Sequence, residues 1–257
     1  MKKNILEDRS VIEIKGDESV KFLQNILTAD ISLLNENNTL SSALLSPQGK
    51  ILFEMIIYSH EGNILIESNE NLHKELIEKL NLYKLNSNIE IKYRKDLIVS
   101  WEKLDTEVGP NFYTDPRNKE LGQRAIVQKE ENLKSNLDLY HKVRISLGIP
   151  EIVYDYNQNT IFPHEANLSD FNGVSLHKGC YIGQEIVSRM HFRGTVKKKF
   201  HLFNYEGSVS AFNENLVRNN KIIGTFGSHT EDKVLILIKL QELQENIKLE
   251  KINLYLC

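Results

Sequence analysis

The chain changes character at Gly194, and that break constrains its fold more than any other feature. Beyond it, residues 196–205, 221–228, 233–240 and 247–256 are short β-prone segments separated by polar turns, the pattern of a small all-β barrel. Before it, helix-like and strand-like stretches are mixed. Residues 16–27 carry apolar side chains at 20, 23 and 27 behind a predicted cap at Asp17, the stripe of an amphipathic helix. Residues 50–58 and 63–68 flank the turn-rich Ser59-His60-Glu61-Gly62 and predict a hairpin. Leu72, Leu76, Leu80 and Tyr83 mark a second helix, with strands expected at 89–93 and 97–101. Residues 105–123, rich in Asp, Gly, Pro and Asn, read as a connector before a helix over about 131–147 that Gly148 and Pro150 close. This unequal mixture predicts an α+β fold rather than a wound parallel sheet.

With 257 residues, 40% of them hydrophobic, the chain can bury a sizeable core. Its longest purely aliphatic run, 234–238, is far short of the roughly twenty residues of a membrane helix, so no membrane association is expected. The opening residues turn acidic before a signal-peptide core could form. Cys180 and Cys257 are the only cysteines and form no C-x-x-C pair, which predicts a reducing, cytoplasmic setting. A net charge of -3 gives no general attraction to nucleic acid. Locally the balance reverses: residues 178–199 hold six bases and one acid, a net of +5. Direct RNA binding there would require interleaved aromatic rings, and only Tyr181, Phe192 and Phe200 are at hand, so it is not expected.

The run Lys178-Gly179-Cys180-Tyr181-Ile182-Gly183-Gln184-Glu185, with Arg189 after it, concentrates the chemistry. Ile182, Ile186 and Met190 recur at helical spacing, so Cys180 is expected at a helix entrance beside a lysine. Positive charge from both sources would favour the thiolate and make Cys180 a functional thiol. Packing as a small buried hydrophobe is the alternative. His164, His177 and His191 lie nearby, but their spacing matches no compact ligand pattern, and no metal site is expected.

The run resembles the K-G-C-Y-x-G-Q-E-x-x-x-R signature of the YgfZ-type folate-binding proteins, which assist iron-sulfur cluster assembly. Flanking segments are similar as well: Gly16-Asp17, Phe22-Leu23-Gln24, Thr28-x-Asp30, Pro47-Gln48-Gly49-Lys50, Asp115-Pro116-Arg117, Leu121-Gly122-x-Arg124, Arg144-Ile145 with Gly148 to Glu151, and Pro163-x-Glu165-x-Asn167-Leu168. The resemblance implies a fold related to the glycine-cleavage aminomethyltransferase (T-protein), arranged around a folate channel. It divides the chain into a folate-binding α+β region of two subdomains, residues 1–195, and a C-terminal β-barrel domain, residues 196–257. It also implies tetrahydrofolate or a derivative as cofactor and iron-sulfur client or assembly proteins as partners, tRNA-modifying enzymes among the clients. Arg144, Glu165, Lys178, Tyr181, Gln184, Glu185 and Arg189 become the expected folate-binding residues. A carboxylate can pair with a pterin edge, and arginine can clamp the carboxylate tail.

A cluster is normally held by about four thiolates, so with one plausible ligand, Cys180, any bond would be transient and shared with a partner. The alternative is a folate-dependent aminomethyl or one-carbon transferase. The transferase relative carries paired acids on the strand after the Gly-rich turn. Phe53 and Glu54 stand there in this chain, and Phe53 cannot move a proton. The accessory role is therefore the stronger expectation.

Overall fold

The computed structural model describes residues 4–35, 38–104, 111–130 and 134–257. In chain order it contains β1 (Asn4–Leu6), β2 (Arg9–Lys15), α1 (Ser19–Ile26), β3 (Thr39–Leu45), β4 (Ile51–His60), β5 (Asn63–Asn69), α2 (His73–Lys84), β6 (Glu90–Tyr93) and β7 (Leu97–Glu102). There follow β8 (Tyr113–Thr114), β9 (Gln123–Gln128), β10 (Lys134–Ser135), α3 (Leu137–Ser146) and α4 (Gln184–Arg193). The C-terminal part consists of β11 (Lys198–Gly207), β12 (Asn215–Arg218), β13 (Lys221–His229), β14 (Lys233–Lys239), β15 (Asn246–Lys248) and β16 (Ile252–Leu256).

These strands form three sheets. Their orders are β3-β4-β5-β2-β6, β10-β1-β7-β9-β8 and β12-β13-β14-β11-β16-β15. The first is buried on both faces because successive strand residues point to opposite sides. Ile12, Ile14, Phe53, Met55, Ile57, Ile64 and Ile66 enter a core shared with α1 and α2. Val11, Ile56, Tyr58 and Leu65 face the second sheet and pack with Val99, Trp101 and Tyr140. The third sheet is the barrel-like unit expected from the sequence. It curls around its own core of Phe203, Ile223, Val234, Ile236 and Leu254. Arg218, on one edge strand, bonds Gln244 and Glu242 beside the other. Its opposite face contributes Phe200, Leu235 and Leu237 to the main core.

Several expected boundaries move. Helix α1 starts at Ser19, not behind Asp17: the Ser19 hydroxyl donates to the Gly16 carbonyl at 2.7 Å, and the cap position, Glu18, makes no side-chain cap bond. The hairpin is as expected, with His60 opposite Asn63 and Glu61-Gly62 at positive φ in the turn. Of the helix expected over 131–147, residues 131–133 lie outside the described residues. Lys134–Ser135 pair in parallel with β1, so the helix begins at Leu137. Residues 105–110 of the expected connector are likewise outside the described residues. Its remainder is no loose linker, because Asp115 and Arg117 are held in a charged cluster. Strand β12 was not anticipated, and the segment 247–256 is two strands. Among the described residues no helix is long and apolar enough to cross a membrane.

Candidate functional site

The signature run forms a loop fastened to the N-terminal part at three places. At its approach, the Thr28 hydroxyl donates to the Gly173 carbonyl at 2.6 Å and the Ser175 N–H donates to the Thr28 carbonyl at 2.9 Å. In the middle, the Lys178 ammonium donates to the carbonyls of Gln24, Leu27 and Ala29 at 2.6, 2.7 and 2.8 Å. At its exit, Gly183 lies against the Ser46–Gly49 turn. A Cβ on Gly183 would meet the Ser46 carbonyl oxygen at 2.7 Å and the Gly49 Cα at 2.9 Å. Gly183 and Gly49 both have positive φ, so this backbone-to-backbone approach suits glycine on both sides. The pieces Thr28-x-Asp30 and Pro47-Gln48-Gly49-Lys50, far apart in sequence, are the bed on which the signature lies.

Lys178 and Tyr181 are 8% and 7% exposed, whereas Gly179 and Cys180 between them are exposed. The Lys178 ammonium sits 5.2 Å from the Tyr181 ring centroid. Burial pushes the Tyr181 phenol up to about 12. Cys180 is therefore a free thiol on a two-residue spur between buried anchors, which removes the packing explanation. The Lys178 ammonium is taken up by main-chain carbonyls, and the helix expected to start at Cys180 begins only at Gln184, with Gly183 at the cap position.

The other expected ligand residues do not converge. Glu185 and Arg189 pair with each other at 2.5 Å on the exposed face of α4, and Gln184 is half-buried in its first turn. Arg144 is fully buried. Its guanidinium donates to Asp155 at 2.7 Å, to the Ile149 carbonyl at 3.1 Å and to Ser228 at 2.8 Å. It joins α3 to the C-terminal sheet and is not open to a ligand tail. Its Nε also donates to His141 Nδ1 at 2.7 Å, consistent with an imidazole that burial and the Arg144 charge bring down to about 4.

Arg144 is one member of a buried charged cluster between the first two sheets. Glu151 accepts from Arg9 at 2.5 Å, from Arg117 at 2.6 Å and from the Tyr140 hydroxyl. Arg124 reaches Glu67 and Asp115, each at 2.5 Å. Arg9, Arg117, Arg124 and Arg144 are thus matched by Glu67, Asp115, Glu151 and Asp155. The Asp115-Pro116-Arg117, Leu121-Gly122-x-Arg124 and Arg144-to-Glu151 motifs meet here, which sequence spacing could not reveal.

Phe53 and Glu54 point to opposite sides of β4. Phe53 packs in the main core, while Glu54 lines a cavity of about 30 Å³ with Arg9, Glu67, Arg117 and Glu151. That volume suits a water or two and not a pterin. Burial raises the Glu54 carboxyl to about 7 although it accepts the Ile152 N–H at 2.8 Å. Between its ordinary value of 4.5 and 7 the folded chain therefore holds a proton that the unfolded chain releases, and Glu54 makes stability fall as pH rises through that window. Glu54→Gln should flatten this fall, which denaturant titrations at pH 5 and pH 8 (about the two ends of the window) would measure.

Glu165, another of the expected folate contacts, borders a cavity of ligand size. The cavity, about 640 Å³, is lined also by Val196, Lys197, Lys198, Lys239 and Gln241. Burial raises the Glu165 carboxyl, opposed by the Phe162 N–H donated at 3.0 Å and by the Lys198 and Lys50 charges. Lys198 and Lys239 are direct partners across β11 and β14, a like-charge pairing that an anion would relieve. No sequence signal brings Lys239 to Glu165. Among the described residues no group of three or more His, Cys, Asp and Glu side chains could hold a metal ion. His164 and His191 have ring centroids 5.7 Å apart.

No family model matches the chain. It is 31% identical to the tRNA-modifying protein YgfZ of Hamiltonella defensa over 77% of this chain and 68% of that protein. It is 29% identical to the mitochondrial iron-sulfur cluster assembly factor IBA57 homolog of Neurospora crassa and 28% identical to that of Dictyostelium discoideum, over 79% and 76% of this chain. The chain spans only 54% and 60% of the length of those two relatives. In fold it is similar to the glycine cleavage system aminomethyltransferase T of Bartonella henselae, with a TM-score of 0.77 at 12% identity, over 99% of this chain and 86% of that one.

Proposed function

This chain belongs to the YgfZ family, and on that premise we propose that it serves the assembly or repair of iron-sulfur proteins through the thiol of Cys180, with a reduced folate as its bound cofactor. The observation that carries the reading is the spur itself: an exposed cysteine fixed between Lys178 and Tyr181. One thiol cannot wrap a cluster. Cys180 therefore works on a cluster held mainly by a client or assembly partner, and 4Fe-4S enzymes, tRNA-modifying ones included, are the proposed clients. Two free cysteines suit a reducing compartment, the cytoplasm in this proposal. Fractionation of expressing cells distinguishes this from the mitochondrial placement in several relatives' names.

The Glu165 cavity is the proposed folate site. Its volume lies within the ordinary range for small-molecule sites, about 300–1,000 Å³. Glu165 would hold the pterin edge, and Lys197 and Lys198 the anionic tail. A tetrahydrofolate supplies a reduced pterin able to carry a one-carbon unit. Glu165 orients, and the lysines bind. A stable formyl-tetrahydrofolate at about 100 times its dissociation constant should stabilise the native chain by about 2.7 kcal/mol, and Glu165→Gln should abolish most of that shift. No thermal shift at saturating ligand would remove the folate from the proposal and leave the role of Cys180 to be tested separately.

A further inference from the structure

We propose that Lys178 is the positioning residue for the Cys180 thiol: its ammonium pins the signature loop to the end of α1, so that Gly179 and Cys180 project as a stiff spur. The inference rests on the reading of Cys180 as the working thiol. Three acceptors meet at one point, the carbonyls of Gln24, Leu27 and Ala29, at 2.6–2.8 Å from Nζ. A primary ammonium carries three hydrogens in a tetrahedral array and can serve all three. The Gln24 carbonyl is in the last turn of α1, where helix carbonyls lack intrahelical partners and the backbone dipole is negative. Lys178 thus caps a helix to which it is not joined in sequence. On one side of the spur it holds the loop down, and on the other Tyr181 is buried in the main core. Gly179 has open space where a side chain would be, so no packing against residue 179 competes with the two anchors.

Stiffness matters because a shared ligand must meet a partner's cluster in one geometry, and a thiol on a loose loop would have to be ordered at each encounter. An apolar side chain at 178 would leave three carbonyls unpaired in a largely buried setting. Arginine is no substitute, since its planar fork directs hydrogens outward rather than toward one point.

The test uses the full chain carrying Cys257→Ser, with a nitroxide label on Cys180. With Lys178 intact the label should give the broad spectrum of a restrained site; Lys178→Met and Lys178→Arg should both narrow it. Amide exchange across 24–31 and 175–182 should rise on the order of tenfold in both variants, as the loss of one or more hydrogen bonds implies. With the unlabelled thiol, both variants should lose most of the chain's ability to restore 4Fe-4S enzyme activity in cells lacking their own family member. If neither variant folds, the unsubstituted lysine supplies the measurement. Burial lowers its ammonium to about 8, and an amine with two hydrogens serves only two carbonyls. Label mobility should then increase between about pH 7 and 9. Asp30, held below its ordinary value by Ser32 and Gln24, and Tyr181, at about 12, face the same amine and do not titrate there. An unchanged spectrum in the Met variant, or no change with pH where neither variant folds, would overturn the inference. Full rescue by Arg would refute the three-carbonyl account. If Cys180→Ser itself restores client activity, it is the role of the thiol that fails; if Cys180→Ser is inactive while Lys178→Met is fully active, only the positioning role fails.

Discussion

Replacing Glu151 with Ala is expected to destabilise the chain by about 3–5 kcal/mol, the range for removing one partner from a buried ion pair. Its carboxylate is 2% exposed and accepts from Arg9, Arg117 and the Tyr140 hydroxyl, with Arg144 at 3.6 Å. Truncation leaves those cations facing one another in a region closed to water. At this chain length the cost should lower the melting temperature by roughly 10 °C, readable by calorimetry or by denaturant midpoint at unchanged m-value. The same carboxylate sets an acid limit. Burial alone would raise it, but Arg9, Arg117 and Arg144 hold it well below its ordinary 4.5. In the unfolded chain it takes up a proton near 4.5, so its contribution is complete above that pH and disappears as the pH falls toward the folded value. Asp115, held low by Arg117 and Arg124, has the same sign. Glu151→Gln should therefore lose stability mainly at neutral pH and converge toward the unsubstituted chain in acid. A variant equally destabilised at pH 7 and at pH 3 (about the acid end) would show that packing, rather than charge, is what Glu151 supplies.

Cys180→Ser is expected to abolish support of 4Fe-4S enzymes in cells while leaving melting temperature and folate response unchanged. Gly179 and Cys180 are exposed and make no core contact, so an oxygen for a sulfur there costs little stability. A hydroxyl is a poor ligand for iron in clusters that use thiolates, so the chemical effect should be near total. Cys257→Ser should retain full activity, because Cys257 is exposed, lies outside the signature, and is tied to the fold by the N–H it donates to the Leu202 carbonyl at 3.1 Å, a bond that does not involve its sulfur. Since one thiol cannot retain a cluster, the loss should be seen in the clients and not as a lost iron absorbance of the isolated chain. Full complementation by Cys180→Ser would end the thiol mechanism.

Two features of the signature illustrate how sequence and tertiary structure divide the work. Cys180 and its neighbours were recognisable at once because the motif is contiguous, and the hairpin at residues 60–63 was legible because period-two alternation and a Glu-Gly turn are local signals. The break at Gly194 and the barrel-like sheet beyond it were legible for the same reason. Lys178 was read as a neighbour of the thiol because it is two residues away in sequence, yet its side chain points to carbonyls about 150 positions earlier. Arg144 was read as a ligand clamp because an arginine in a motif resembles one; Asp155 and Ser228, the latter far along the chain, take up its hydrogens instead. Sequence by itself determined the fold class and the family, both properties of local pattern and contiguous motif. The tertiary structure decided which charges neutralise one another, which cavity is large enough for a ligand, and which way each long side chain turns. Those outcomes depend on what lies within about 3 Å of a polar atom, the reach of a hydrogen bond, and that distance is set by packing between segments remote in the chain.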